Sequence, residues 1–296
     1  MHHGKYRFLG SLLLVPLALY AVFVISPYLQ AFSISLTDWQ GMSAAYRYIG
    51  FDNFGALFED PVFWIALRHN AFLVLTIPVI VVTLALGFSA LLNYRGGVRG
   101  SGFYKVVYFF PGVLSIAVVS VLWQFVYEPR NGLLNGLLGS VGLEGLEQVW
   151  LGDKEVALGA ITAVVVWGGV GFYVVLFTAA MSSIPREIYE AALLDGAGPW
   201  QAFWRLTLPL IWGTVQVALA YLMIGAMDMF ALVKILSVGP GGPDNSTQVI
   251  SLYMYESAFT YGQFGYASAI GVTLFFLTLV LTLLVFRLSR RERVEY

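Results

Sequence analysis

Few residues of this chain have types and spacings that could support chemistry. There is no cysteine, and the three histidines, His2, His3 and His69, are too scattered to form a metal site. The acidic residues of the hydrophilic connections are not paired at a spacing that suggests hydrolysis, and no Gly-x-x-x-x-Gly-Lys-Ser/Thr phosphate loop is present. The sequence therefore predicts no catalytic residue, no metal site and no cofactor bound by this chain.

The composition is that of a membrane protein. Hydrophobic residues make up 59% of the 296 residues and charged residues 11%, whereas soluble domains carry roughly 25% charged residues. A net charge of −1 gives no electrostatic basis for nucleic-acid binding. Apolar runs predict six membrane spans, at about 8–26, 70–92, 106–127, 156–181, 208–236 and 267–286. The predicted fold class is all-α and polytopic.

One acidic residue, Asp228, lies well inside a predicted span. Ionisable residues within spans usually face the bundle interior and mark a pathway for an ion or a substrate. Two interpretations stay open for Asp228: a satisfied polar group that faces a cavity or a nearby loop, or a side chain that contacts the transported ligand.

Residues 184–210 form a polar segment between two apolar runs. Pro185 suits the first turn of a helix, where its missing N–H costs nothing. Gly196 predicts the end of that helix, because glycine adopts positive φ without strain. Pro199 can start a second short helix that ends near Pro209. The segment is therefore predicted to be a helix–turn–helix outside the bilayer.

This helix–turn–helix carries more apolar surface than a loop that faces only water. The residues concerned are Ile188, Ala191, Ala192, Leu193, Trp200, Phe203 and Trp204. Exposed apolar surface of this kind is typical of a protein interface. We expect a partner protein to cover it.

The distribution of basic residues predicts the orientation in the membrane. Most of the 16 lysines and arginines lie at the two termini, at 95–105 and in the 184–210 segment, whereas the alternate connections are richer in acid. Because basic residues are enriched on the cytoplasmic side, both termini and the 184–210 segment are expected to face the cytoplasm. The expected location is the plasma membrane of a prokaryote.

Three sequence blocks at fixed spacing within this segment resemble the "EAA" loop of permease subunits in ATP-binding-cassette importers. They are Glu190-Ala191-Ala192, Asp195-Gly196-Ala197 and Leu206-x-Leu208-Pro209. The resemblance implies that residues 1–296 form a single transmembrane permease domain whose coupling loop spans about 184–210. It also implies that Glu190, Ala191, Ala192, Asp195 and Gly196 couple the chain to an ATPase. In the family the matching glutamate meets a basic residue in the docking cleft of the ATPase.

Further blocks are similar to the carbohydrate-uptake branch of this family, of the maltose/glycerol-phosphate type. They are Phe109-Phe110-Pro111, the run 167–172, Ser183-Ile184-Pro185, the run 239–247 and the run 264–269. The implied assembly contains a second, non-identical permease, two cytoplasmic subunits that bind ATP and magnesium, and an extracytoplasmic solute-binding protein. Membrane lipid surrounds it, and its substrate is a sugar.

The resemblance also implies which residues of this chain would line the pathway of the sugar. The matching positions are Gly112, Ile116, Gly169, Phe172, Gly225, Ala226 and Met229, to which Asp228 is added as a candidate. Ala226 and Met229 stand where the maltose-type pattern has asparagines. Either aromatic stacking holds the ligand, or the partner permease supplies the polar groups. For each of these positions, ordinary helix packing is the alternative interpretation.

The sequence thus predicts a translocation subunit, not an enzyme, that imports a sugar or oligosaccharide with energy from partner ATPases. The same machinery could import another polar solute, such as a polyol or a glycerol phosphodiester. An ion-coupled secondary transporter is the rival class, but such proteins usually carry several ionisable residues within their spans, and this chain has few.

Overall fold

The computed structural model describes residues 3–42, 45–93 and 100–288. In chain order the helices are α1 (His3–Tyr20), α2 (Ser26–Ile34), α3 (Asp52–Glu59), α4 (Pro61–Asn93), α5 (Ser101–Val113), α6 (Ile116–Val126), α7 (Leu133–Ser140), α8 (Ala157–Ser182), α9 (Arg186–Leu194), α10 (Pro199–Ala202), α11 (Leu208–Leu210), α12 (Trp212–Met227), α13 (Phe230–Leu236), α14 (Ile250–Phe259) and α15 (Phe264–Leu288). π-Helical segments, Ala21–Ile25 and Phe203–Thr207, join α1 to α2 and α10 to α11.

Helices of this chain provide up to six membrane crossings. Four are long and apolar enough to cross a bilayer, namely Leu12–Ile34, Pro61–Asn93, Ala157–Ser182 and Phe264–Arg287. Two more crossings are bent pairs, Gly102–Val113 with Ile116–Val126 and Pro199–Leu210 with Trp212–Met227. The predicted all-α polytopic fold is confirmed. The arginines within 94–99 and 289–296, on which the predicted orientation partly rests, lie outside the described residues, and so does His2.

The second crossing is longer than the sequence predicts. Helix α4 has 33 residues and begins at Pro61, whereas the apolar pattern predicts a span at about 70–92. A bilayer needs only about 20 helical residues. Proline suits the first helical position, so the helix continues for more than two turns ahead of the apolar run.

The third and fifth spans are interrupted, which the sequence analysis did not predict. Helix α5 ends before Leu114, and Ser115 starts α6 by accepting a hydrogen bond from the Val118 N–H (3.4 Å), with a 97° bend between the two helices. A serine cap favours a new helix start over continuation. In the fifth span, α12 ends at Met227 and α13 begins at Phe230. Asp228 therefore lies at a helix break and not within a continuous span.

The chain divides into two compact units. The first comprises Met1–Phe63 and Tyr253–Phe276. In this unit, Phe32 packs edge-on against Phe275 and Phe276, and Asn53 Nδ2 donates to the carbonyl oxygens of Ser35 and Thr37, both at 2.8 Å. These contacts hold α2 against α15 and the connection after α2 against α3.

The second unit comprises Trp64–Leu252 and Leu277–Tyr296. Its α5 and α8 pack closely, because Gly171 has no side chain: a Cβ there would overlap the carbonyl oxygen of Tyr108 and lie 2.9 Å from the Phe109 nitrogen. Phe88 stacks on Tyr108, with ring centroids 5.0 Å apart, and the Ser89 hydroxyl donates to the Val174 carbonyl (3.0 Å). Small residues at helix interfaces permit such close approach in membranes.

Candidate functional site

The coupling segment begins with a helix that ends in a well-defined cap. In α9, the Ala197 N–H donates to the Ala192 carbonyl (2.9 Å) and the Gly196 N–H donates to the Leu193 carbonyl (3.0 Å). These two bonds form a Schellman motif around Gly196, whose φ is +79°. The predicted left-handed glycine at the end of this helix is confirmed. Pro185, predicted in the first helical turn, instead precedes the helix with ψ at 138°.

The second arm of the segment ends close to Pro209, as predicted, but it contains a π-helical segment that was not predicted. Pro199 occupies the first position of α10, and the helix runs through the π-helical segment into α11, which ends at Leu210. The Tyr189 hydroxyl and the Thr207 hydroxyl are 3.0 Å apart and hydrogen-bonded. This bond connects the two arms, so the helix–turn–helix has a fixed shape.

The tip of this helix–turn–helix is apolar and exposed. Leu194 is 90% exposed and Trp200 is 75% exposed, and Leu193 and Trp204 are exposed as well. Trp200 and Trp204 pack against each other with ring centroids 5.5 Å apart. We name Leu193, Leu194, Trp200 and Trp204 the apolar tip. A patch of this kind on a folded chain is typical of a protein interface.

The sequence-predicted coupling residues all lie beside the apolar tip. Glu190, Ala191, Asp195 and Gly196 are exposed, and Ala192 is half-buried. Asp195 is the last residue of the helix cap, and Glu190 stands one turn before it. The arrangement offers a carboxylate, small side chains and an apolar surface on one exposed helix–turn–helix.

The candidate substrate residues gather at the two helix breaks and on α8. Gly112 and Ile116 flank the break between α5 and α6, and both are exposed. Asp228 and Met229 form the break between α12 and α13, where Asp228 is exposed and Met229 buried. A Cβ on Gly112 would lie 3.2 Å from the Gly168 carbonyl oxygen, so the first break lies against α8.

The remaining candidates differ in exposure. On α8, Phe172 is 51% exposed and Gly169 is half-buried; on α12, Gly225 is exposed and Ala226 is buried. Apart from its chain neighbours and its own helix backbone, no atom of the described residues would lie within 4 Å of a Cβ at Gly169 or Gly225. Of the eight candidates, Ala226 and Met229 are the two whose side chains face the protein interior.

Asn70 is a structural determinant of the second break that the sequence analysis missed. Its side chain is fully buried, and Nδ2 donates to the carbonyls of Ala226 (3.1 Å) and Met227 (3.3 Å). Its Oδ1 accepts the Ile250 N–H at 2.9 Å. These bonds satisfy the last carbonyls of α12, which otherwise have no partner at a helix end. The signal was an asparagine beside an apolar run.

Gln124 makes a similar link at the other end of α13. Its Nε2 donates to the Ile235 carbonyl at 2.6 Å, and α6 packs along α13. Both halves of the broken fifth span are therefore held by amide side chains from other helices. Among the residues that the structure describes, no group of three or more His, Cys, Asp or Glu residues could hold a metal ion.

Apolar helices long enough to cross a bilayer, two of the crossings bent, together with an exposed apolar tip fit a polytopic membrane protein that binds a partner. The chain belongs to the family of binding-protein-dependent transport system inner membrane components, whose model matches residues 61–294. The predicted family and the predicted translocation role are confirmed.

Relatives and solved structures agree with this assignment. The diacetylchitobiose uptake system permease protein NgcF of Streptomyces coelicolor is 44% identical over 97% of this chain and 83% of its own length. The multiple sugar-binding transport system permease protein MsmF of Streptococcus mutans is 33% identical, with 96% of each chain covered. A bacterial alginate transporter, crystallised with its pentasaccharide-bound periplasmic protein, matches with a TM-score of 0.82 and 25% identity over 98% of this chain and 96% of the other.

Proposed function

We propose that this chain is one of two permeases in an ATP-driven importer of a sugar or oligosaccharide. Two named relatives, at 44% and 33% identity over nearly the whole chain, take up saccharides. The observation that carries the proposal is the combination of this kinship with two interrupted spans, because broken helices in transporters expose backbone groups and side chains to a substrate. A solute-binding protein delivers the sugar, as the family description suggests.

In this proposal the energy comes from two cytoplasmic ATPase subunits that bind ATP and magnesium. The apolar tip docks into one of them, and Glu190 adds a charge-assisted contact with a basic side chain of the ATPase. The exposure of Leu194 and Trp200 supports this docking, because such surface is costly to leave in water.

We propose that the substrate passes the two helix breaks of the second unit. Gly112, Ile116, Gly169, Phe172 and Gly225 line the passage, and Asp228 contacts the ligand or orders water beside it. Ala226 and Met229 are buried, so they shape the passage by packing and leave polar contacts to the partner permease.

The proposed orientation places both termini and the coupling segment in the cytoplasm. Fusions after Arg99 and after Tyr296 are expected to place the reporter in the cytoplasm, where the fluorescent protein is active. Fusions at Asp153 and Asp244 are expected to place it outside, where alkaline phosphatase is active, because basic residues are enriched on the cytoplasmic side. The measurement is paired alkaline-phosphatase and fluorescent-protein activity for each fusion. A cytoplasmic signal at Asp153 would contradict the six-span topology.

The proposed function is tested by uptake into proteoliposomes that contain the complete complex. The assay uses radiolabelled diacetylchitobiose and the binding protein. Uptake is expected to require ATP on the side of the membrane that the coupling segment faces, and an ionophore is expected not to reduce it. Uptake by the isolated permease that collapses with the ion gradient would contradict the proposal and favour ion-coupled transport.

Variants in the same assay test the passage. Gly169→Leu and Gly225→Leu are expected to block uptake, because the larger side chains would fill the proposed passage. Assembly and basal ATPase activity are expected to persist, because no atom outside the local backbone lies within 4 Å of the added Cβ among the described residues. Phe172→Ala is expected to raise the half-saturating sugar concentration about two- to tenfold through loss of aromatic packing. Gly159→Leu, on the same helix and equally uncrowded, is the control. Unchanged uptake in the first three variants would place the passage elsewhere.

A further inference from the structure

The first unit contains a pocket that the proposed passage does not use. It has a volume of about 580 Å³ and lies between the connection after α2, helix α3 and the start of α15. Ligand sites in proteins occupy about 300–1,000 Å³. Gln40, Glu59 and Gln263 at its rim are exposed, so the pocket is open to solvent.

The floor of the pocket is a carboxylate held in place by two tyrosines. Asp60 Oδ2 accepts hydrogen bonds from the hydroxyls of Tyr253 and Tyr266, the second at 2.6 Å, and Oδ1 accepts the Val62 N–H at 2.8 Å. Partial burial opposes ionisation of Asp60, but these hydrogen bonds outweigh it and lower its pKa. The floor therefore carries a fixed negative charge and two aromatic rings.

One wall of the pocket is an indole ring with a fixed position. Trp39 packs against Phe264 with ring centroids 5.3 Å apart, and its carbonyl accepts the Gly265 N–H at 2.9 Å. Gly265 allows this approach, since a Cβ there would overlap the carbonyl oxygen of Thr37. Trp39 is half-buried and belongs to the lining of the pocket.

Polar side chains at the rim have donors and acceptors that make no hydrogen bond to other described residues. The side chains of Gln40, Glu59 and Gln263 make no hydrogen bond to other described residues, and neither does Asn53 Oδ1, although Asn53 Nδ2 is fully used. The two glutamine amides can donate and accept, whereas Asn53 Oδ1 and the Glu59 carboxylate can only accept. The rim and floor thus combine donors, acceptors and aromatic faces around a volume that suits a sugar ring.

We propose that this pocket binds one pyranose unit of a saccharide that carries no negative charge. Aromatic rings pack against the C–H face of a pyranose, and amides and carboxylates bond its hydroxyls. Asp38, Glu59 and Asp60 line the pocket, and of these only Asp38 has an ion-pair partner among the described residues, Arg47 at 3.2 Å. The net negative charge disfavours acidic sugars and tolerates amino sugars.

This inference rests on the proposed saccharide uptake and extends it to a second site, which lies in the first unit. The occupant is a sugar and not a protein segment, because the lining is concave and its free groups are amides and carboxylates. A site there would collect the sugar close to the importer before or after its delivery by the binding protein.

The test is saturation-transfer NMR on the complete complex in nanodiscs, without ATP or binding protein. The probes are neutral diacetylchitobiose, chitobiose with free amines, and an anionic alginate trisaccharide. Trp39→Ala is expected to weaken binding of diacetylchitobiose about five- to tenfold through loss of aromatic packing. Phe51→Ala, an exposed aromatic outside the pocket lining, is the control and is expected to leave binding unchanged.

Charge is tested separately. Glu59→Gln is expected to weaken binding of chitobiose about threefold, as for an exposed ion pair, with diacetylchitobiose unaffected. Glu155→Gln, an exposed acid of the second unit, is the control. The alginate trisaccharide is expected not to bind.

Three results would overturn the proposal. They are absence of diacetylchitobiose binding, binding that Trp39→Ala leaves unchanged, and alginate binding as tight as that of the neutral sugar. If Trp39→Ala instead reduced only the affinity of the complex for its binding protein, the pocket would be a protein contact and the proposal wrong. Because Gly225→Leu blocks the proposed passage, a signal that remains in this variant and is weakened by Trp39→Ala comes from the pocket, so a failure of the passage and a failure of the pocket are distinguishable.

Discussion

A complex that carries Glu190→Ala is expected to lose ATP-driven uptake while the permease remains inserted and paired with its partner. Glu190 is exposed at the side of the apolar tip, so its removal leaves the fold of this chain intact. A charge-assisted hydrogen bond to the ATPase is worth about 1.5–3 kcal/mol, which corresponds to roughly ten- to hundredfold weaker association. The measurement is co-purification of the ATPase together with sugar uptake in proteoliposomes. Glu187→Ala, one turn earlier on the same helix, is the control.

Gly196→Val is expected to give the same uncoupled phenotype by a different route. Gly196 has a φ of +79°, and a β-branched residue there costs about 1–2 kcal/mol or more and distorts the cap. Gly198→Val is the matched control, because Gly198 has extended backbone (φ −73°, ψ 164°) and no described atom would lie within 4 Å of its Cβ.

These two pairs of variants distinguish a segment that docks on an ATPase from a surface loop without a partner. If the coupling segment were a solvated loop, Glu190→Ala and Glu187→Ala would transport equally, as would the two valine variants. Normal uptake with Glu190→Ala and Gly196→Val would remove the main support for ATPase docking at this segment. ATP hydrolysis that continues without a response to the loaded binding protein would instead support it.

The coupling segment was the most predictable part of the chain because its determinants are local. Pro199 at a first helical position and Gly196 in a Schellman motif are determined by residues within one turn of each other. Both features were predicted correctly from the sequence. The end of the second arm near Pro209 was also predicted, but the π-helical form of Phe203–Thr207 was not, because no residue type marks a π turn in the sequence.

The helix breaks were less predictable because their cause is distant in sequence. Asp228 lies in a long apolar run, and the break there is stabilised by Asn70, more than 150 positions earlier in the chain. A periodic pattern reports the apolar character of a span but not which other helix accepts or donates its backbone bonds. Asp228 was named as a candidate pathway residue because of its charge. Its position at a helix break was not predicted.

Which glycine of α8 contacts the neighbouring helix could not be predicted from the sequence either. The run Gly168, Gly169 and Gly171 predicts a thin face, but the sequence does not show which glycine meets the neighbouring helix. Only Gly171 is crowded, against the backbone of α5, whereas a Cβ on Gly168 or Gly169 has no described atom within 4 Å. The rotation of α8 about its axis decides this, and that rotation depends on packing along the whole helix.

Gly171→Ala is therefore expected to destabilise the permease more than any other single methyl addition on α8. The added Cβ would overlap the Tyr108 carbonyl, which is backbone and cannot rotate away. Helix α5 must then move or the helices must separate, at a cost of about 1–3 kcal/mol or more. The measurement is the melting temperature of the detergent-solubilised complex by fluorescence-detected size exclusion.

Gly168→Ala and Gly159→Ala on the same helix supply the matched controls. Their added methyl groups have no described atom within 4 Å, and alanine favours a helix over glycine by about 1 kcal/mol in an exposed position. The three variants should therefore differ in sign, with a lower melting temperature for Gly171→Ala and an unchanged or higher one for the controls. Equal melting temperatures for all three would mean that α5 and α8 do not approach as closely as their backbones indicate, and the close packing at Gly171 would have to be abandoned.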